Sequence, residues 1–266
     1  MASIASVTDH YESALKAIDH RPYALPTGPW RLRQRWNDLL FAHWPIPAPE
    51  MAALLPAGLE VDTFDGYAWA GVVPFWMDDV HSRIVGDLSA SVPSTRAFLE
   101  LNLRTYVRSP RTGRRGVFFF SLDCASPLAV AGARVLFHLP YFFASMQRRE
   151  TSEGTAYRSR RRFAARDARF DATYAPISGS APAAPSEPGS LEHFLTERYC
   201  LFTPSAGRIL VGDIHHGPWP LQPGEAEIRV NEIPAAHGIT LPNRPPVLHF
   251  SRELYVSIWP LHPDAV

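Results

Sequence analysis

From Trp30 onward the chain is cut into short apolar runs by turn residues, a pattern that favours many short strands over long helices. The runs include "LEVDTFDGYAWAGVVPFWM", "RAFLELNLRTYV", "RRGVFFFSLD", "TAYRSRRRF", "ARFDATYAP", "GRILVGDIHH" and "VLHFSRELYVSIWPL". Many such strand-like runs lead to the expectation of a mainly β (α+β) protein built on a closed or nearly closed antiparallel sheet. Helical pieces are few and short: "APEMAALLP", "SPLAVAGARVLFHLP" and "SLEHFLTERYCLF". In the last, Ser190 suits the N-cap and Glu192 the first turn.

With 266 residues, 46% of them hydrophobic, the chain can bury a sizeable core. Lys plus Arg and Asp plus Glu both number 26, so no net field favours nucleic acid or a membrane surface. All but one of those cations are arginine; the one lysine is Lys16. Cys124 and Cys200 form no C-x-x-C pair and suggest neither a disulfide framework nor a zinc site. Acidic residues interrupt the N-terminal segment and no apolar run reaches about 18 residues, so a cytoplasmic protein is expected. Residues 1–28 read as a polar leader, treated as an appendage, with a short helix capped by Thr8 or Asp9. Residues 29–266 read as one domain in which 176–190, rich in Pro, Ala, Ser and Gly, form a long surface loop. The sequence leaves self-association into a homo-oligomer open.

In "FLELNLRTYV" a period of two places Phe98, Glu100, Asn102, Arg104 and Tyr106 on one face and Leu99, Leu101, Leu103, Thr105 and Val107 on the other. On an exterior strand the polar face is merely wet. In a barrel with a covered exterior it points inward, where Glu and Arg must pair or meet a ligand. In "GARVLFHLPYFFASM", Arg134 and Tyr141 lie two helical turns apart, with Leu139 and Pro140 ending the helix between them, so both can reach one pocket. The bland alternative is a structurally paired Arg134 and a core Tyr141 with its hydroxyl bonded.

Other candidates carry less. His215 and His216 in "GDIHHGPW" face opposite ways on a strand and cannot chelate together, and no metal site is expected. The basic run "YRSRRRFAARDAR", with Tyr157 and Phe163, reads as a solvated strand pair. "SLDCAS" lacks the G-x-S-x-G elbow of a hydrolase nucleophile. Without a dinucleotide fingerprint or phosphate loop, no cofactor is expected.

Taken in order, "WNDLLFAHWPIP", "LLPAGLEVDTFDGYAWAGVVPF", "FLELNLRTYV", "GVFFFSLDCASPLAVAGAR", "LPYFFASM", "FLTERY" and "HHGPWPL" resemble the bacterial family known as domain of unknown function 2071 (DUF2071). That resemblance implies the fold of acetoacetate decarboxylase, a closed, cone-like antiparallel barrel around an internal cavity. Acetoacetate decarboxylases carry a Gly-Arg-Glu…Pro-Lys motif whose lysine forms a Schiff base with the substrate. The corresponding stretch here is Ala133, Arg134, Val135 and then Leu139, Pro140, Tyr141. Tyrosine stands where the lysine would be, and a phenol forms no imine. Glu100 resembles the glutamate that precedes this motif. The resemblance therefore implies a cavity lined by Glu100, Arg104, Arg134 and Tyr141, with Asn102 beside them, and excludes Schiff-base decarboxylation.

Two functions fit these expectations. One is a barrel that binds a small carboxylate or apolar metabolite, with Arg104, Arg134 and Asn102 as its contacts. The other is a lyase-like or isomerase-like enzyme on small oxo acids, in which Glu100 moves a proton and Tyr141 donates to an oxyanion. The second needs a glutamate pKa raised by burial, which a neighbouring arginine opposes. A barrel filled by side chains, serving only as an interaction module, is the third alternative.

Overall fold

The computed structural model describes residues 4–85, 88–90, 97–162 and 167–265. Its elements begin with α1 (Ile4–Lys16), β1 (Leu32–Pro47), α2 (Ala48–Ala52), β2 (Glu60–Val61), β3 (Tyr67–Val85), β4 (Leu88–Ala90) and β5 (Phe98–Arg108). There follow β6 (Arg115–Cys124), α3 (Pro127–Phe137), β7 (Tyr141–Thr151), β8 (Gly154–Arg161), β9 (Arg169–Pro176) and α4 (Leu191–Thr196). The last third supplies β10 (Cys200–Ser205), β11 (Arg208–His215), β12 (Leu221–Asn231), α5 (Ile233–Ala236), β13 (Val247–Ile258) and β14 (His262–Pro263). The short helices thus appear where the sequence places them. Ser126 and Ser190 cap α3 and α4 by accepting from Ala129 N and His193 N, and residues 177–190 contain neither helix nor strand.

The strands β13, β1, β3, β5 and β6 form a continuous antiparallel wall. Both of its outer strands fork. The N-terminal half of β6 pairs with β10 (Val117 with Leu201), while its end pairs with β7 (Leu122 with Tyr141). Likewise β13 pairs with β12 through Ser251 and with β11 through Ile258. The route β6-β7-β8-β9-β12-β13 closes the wall into a nine-stranded barrel, and β10 and β11 close it on the other face. The expected closed, mainly β barrel is present, and the pairings are antiparallel except those of β6 with β7 and β10.

Because the wall has a covered surface on each side, its strands bury both faces. Leu39, Phe41, Val73, Phe75 and Tyr106 pack into one core, whereas Leu40, Ala42, Val72, Leu101 and Leu103 pack into a second with Tyr157, Phe170 and Tyr174. The apolar face of β5 is therefore the outside of one compartment and the inside of another, and its polar face looks into the first. Alternation along β1 is broken at Asp38, whose φ of +46° is unusual for a non-glycine residue. Leu32, Gln34 and Trp36 before it and Leu39 after it line the same cavity, so the register shift against β3 in this region moves the inward set from even to odd positions. The Asp38 carboxylate is held by Trp76 Nε1, Arg148 and Arg252, and its carbonyl by the Tyr174 hydroxyl.

The leader is more than an appendage. Its helix starts at Ile4, so Thr8 and Asp9 fall inside the helix rather than at its cap. Tyr11 is buried, His10 stacks on Tyr255, and Glu12 pairs with Arg33. Further along, Arg21 Nη1 donates to Ile214 O and faces His215 Nδ1 at 3.0 Å, while His215 Nε2 lies 2.7 Å from Ala14 O. His216 instead stacks on Tyr199. The His215 ring thus fastens the leader, and His216 meets it through its carbonyl, 2.8 Å from His20 Nε2. In the basic run, Arg158 and Arg160 are exposed and paired with Asp171 and Asp167, while Phe163 lies outside the described residues.

The two cores are joined by Tyr157, whose hydroxyl shares its one proton between two carbonyls of the wall, Glu100 O (2.8 Å) and Phe75 O (3.0 Å). Tyr157→Phe should lower the unfolding free energy by about 1–2 kcal/mol without altering the denaturant slope in urea titrations. Burial of His215 lowers its pKa to about 4. Its contribution is complete above pH 6.5 and is lost as the pH falls towards 4, so leader docking should weaken over that window. The readout is proteolysis of the leader as the pH is lowered, and His215→Asn should flatten the dependence.

Candidate functional site

Inside the first compartment lies a cavity of about 330 Å3. Its walls are mostly apolar: Leu32, Trp36 and Leu39 from β1, Val73 and Phe75 from β3, Phe98 from β5, and Phe119 and Leu122 from β6. The helix α3 forms its rim. Ala129, Gly132, Ala133 and Leu136, spaced as one helical face, meet the cavity, and Leu128 and Leu136 remain solvent-exposed there. Polar groups enter chiefly from one strand, where Glu100, Asn102 and Arg104 follow one another on β5.

Glu100 is only 3% exposed. Its Oε2 accepts a 2.7 Å hydrogen bond from the Tyr141 hydroxyl. Burial raises the Glu100 pKa to about 7, outweighing the hydrogen bonds from Tyr141 and Asn102 and the charge of Arg104, all of which lower it. The opposition expected between burial and arginine is thus decided by burial. Tyr141, also buried, has its own pKa raised by desolvation and by Glu100, so it remains a neutral donor.

Arg104 is 8% exposed. Its guanidinium lies 4.9 Å from the centre of the Phe41 ring, and two of its nitrogens, Nε and Nη2, have no hydrogen-bond partner. Below it, the Tyr106 hydroxyl donates to Leu195 O (2.6 Å), so His43 Nε2, 2.6 Å from the same hydroxyl, carries the proton of a neutral imidazole. Burial and the charge of Arg104 hold His43 well below its ordinary pKa. Room for the two side chains comes from Gly71, which pairs with both residues. A Cβ there would stand 2.9 Å from His43 Nε2 and 3.3 Å from Arg104 Cγ.

The structure gathers Glu100, Asn102, Arg104 and Tyr141 around one cavity and corrects the expectation for Arg134. That residue is exposed on the outer side of α3, lines a separate surface groove and donates from Nε to Tyr141 O at 2.7 Å. The left-handed His138 ends α3 after Phe137, and the chain reverses so that Tyr141 points inward while Arg134 holds its backbone from outside. Ser121 and Asp123 of "SLDCAS" form no nucleophilic pair. Both bind Arg161, which donates to Asp123 Oδ1 (2.7 Å) and Ser121 Oγ (2.6 Å). Burial raises Asp123 to about 6 against this pairing. Sequence reasoning missed the rim residues of α3 and the His43–Tyr106 pair. The spacing of Ala129, Gly132, Ala133 and Leu136 was a readable signal for the rim; His43 carried none, because its phase depends on the shift near Asp38. Among the described residues no cluster of three His, Cys, Asp or Glu could hold a metal ion, and no helix is long and apolar enough to cross a membrane.

The closed barrel with its enclosed cavity defines a protein of acetoacetate decarboxylase-like fold. Over 92% of its length the chain superimposes on 91% of the enduracididine biosynthesis enzyme MppR, with a TM-score of 0.59 at 14% identity. An acetoacetate decarboxylase-like enzyme from Sphingomonas wittichii RW1 gives a TM-score of 0.55 at 16% identity, covering 91% of this chain and 98% of that one. At such identities the likeness concerns the fold. Residues 33–255 match the DUF2071 family model, described as an uncharacterized conserved protein, and the chain belongs to that family. It is 46% identical to the uncharacterized protein YqjF of Bacillus subtilis (strain 168) over 238 residues, 90% of this chain and 94% of the relative. Lys16, the one lysine, is exposed on α1, so no lysine amine reaches the cavity.

A carbon-13 or infrared titration of the Glu100 carboxyl should show a midpoint near 7, and Tyr141→Phe should move it higher by removing a donor to the charged form. A carboxyl raised from 4.5 to about 7 contributes stability in full below pH 4.5 and loses it as the pH rises through 7. Glu100→Gln should remove that loss, on the order of 3 kcal/mol between pH 4.5 and 8.

Proposed function

We propose that this protein binds a small organic carboxylate inside the barrel, with Arg104 as the anchor. The observation that carries the reading is a buried guanidinium with two unpartnered nitrogens at the polar end of an apolar cavity. Such a cation is costly unless something anionic or hydrogen-bonding meets it, and a planar carboxylate suits the guanidinium fork. Asn102 and Tyr141 stand beside the anchor; Arg134 takes no part. The fold neighbour MppR has been seen complexed with pyruvate, which is consistent with a carboxylate in a barrel of this kind.

A second reading, proton transfer on an oxo acid, is favoured by a Glu100 carboxyl titrating near 7 within 2.7 Å of a neutral phenol. Recovery of unchanged ligand after prolonged incubation supports binding alone. Turnover that survives Glu100→Gln excludes the glutamate as the base.

The deciding experiment is calorimetric titration with carboxylates and their matched amides. Wild-type protein should prefer the carboxylates, and Arg104→Met should weaken them by about tenfold or more while leaving the melting temperature unchanged or raised, since an underpaired buried charge is removed. Affinity should also fall as the pH rises through about 7, because Glu100 then ionises near the bound anion. The groups facing Glu100 are Tyr141, Asn102, Arg104, Asp123 and Cys124, and burial sets the direction of its shift. Carboxylate affinity untouched in Arg104→Met would sink the reading.

A further inference from the structure

Arg104 is not alone in lacking a partner. Two positions earlier on the same face of β5, Asn102 is 5% exposed and its Oδ1 has no hydrogen-bond partner, although it lines the same cavity. The Asn102 side chain donates to the Glu100 carboxylate, so the amide nitrogen is taken up and the oxygen is the end left without a partner. The two neighbours therefore need opposite things. Arg104 requires acceptors, and Asn102 Oδ1 requires a donor. A carboxylate meets the first need but cannot meet the second.

We propose that the ligand is an amphipathic hydroxy acid. Its carboxylate lies on Arg104, a hydroxyl close to that carboxylate donates to Asn102 Oδ1, and a hydrocarbon tail fills the space between Val73, Phe75, Phe98 and Leu122. This rests on the carboxylate reading above and narrows it. An oxo acid of the same skeleton places a carbonyl oxygen against Asn102 Oδ1, acceptor against acceptor, and leaves a buried group unsatisfied. The tail follows from the lining. A three-carbon acid would leave most of the cavity of about 330 Å3 empty against apolar walls, whereas a branched or aromatic side chain displaces poorly bonded water from them.

The test uses the whole chain and matched pairs of pure compounds: 2-hydroxy-4-methylpentanoate against 4-methyl-2-oxopentanoate, 3-phenyllactate against phenylpyruvate, and lactate against pyruvate. Each is titrated by calorimetry at pH 8, where the ionised Glu100 accepts from the Asn102 amide, and again at pH 6, where the anion binds more tightly. The expected result is that each hydroxy acid binds about 10- to 100-fold more tightly than its oxo partner, and that the longer hydroxy acids bind more tightly than lactate. In Asn102→Leu the hydroxy preference should vanish, the hydroxy acids binding more weakly and the oxo acids more tightly than in the wild type. Equal affinities within each pair in the wild type overturn the hydroxyl assignment and leave the Arg104 anchor standing. If no carboxylate binds, or if Arg104→Met weakens none of them, the anchor and the hydroxy-acid proposal both fall. The wild-type pairs decide the matter even where Asn102→Leu does not fold.

Discussion

Everything else in this molecule depends on a five-stranded wall buried on both faces. A strand with one wet face can relegate its polar residues to solvent, but β5 has no wet face to offer. Its leucines occupy one core and its Glu100, Asn102 and Arg104 face the other compartment. Burial then sets the chemistry: it raises a glutamate to about 7 despite a neighbouring arginine and keeps His43 neutral. The polar end of the cavity follows from the architecture rather than from any local motif.

Support for that end comes from outside the cavity. Tyr157, from the second core, donates to the backbone carbonyl of Glu100, and Arg134, on the outer side of α3, donates to the backbone carbonyl of Tyr141. The two members of the 2.7 Å phenol–carboxylate contact are thus each fixed through their main chain by a residue that never touches the cavity. Gly71 contributes by absence, leaving space for the His43 imidazole and the Arg104 stem. Substitution at any of these three would reach the site through geometry alone.

The barrel is decarboxylase-like in fold, and the one lysine of the chain lies outside its cavity. Tyr141 begins β7 just after the α3 cap and points into the cavity. A phenol there donates and stays protonated, and it forms no imine with a carbonyl carbon. A rim of small and aliphatic residues on α3, with the exposed Leu128 and Leu136, gives the cavity an apolar mouth.

By itself the sequence determined the strand-rich class, the short capped helices and, through the family resemblance, a barrel with a cavity. It also determined the pairing of polar and apolar faces in β5, because alternation there runs unbroken from Phe98 to Tyr106 and a period of two is a local property. Tertiary structure decided the rest. Whether the polar face of β5 was wet or enclosed depended on what covers the other side of the wall. The inward set of β1 depended on a register shift near Asp38, held by Trp76, Arg148, Tyr174 and Arg252 from distant parts of the chain. Helical spacing allows Arg134 and Tyr141 to share one pocket. The left-handed turn at His138 sent them to opposite sides, and the direction in which a chain leaves a helix is set by the strand it must join.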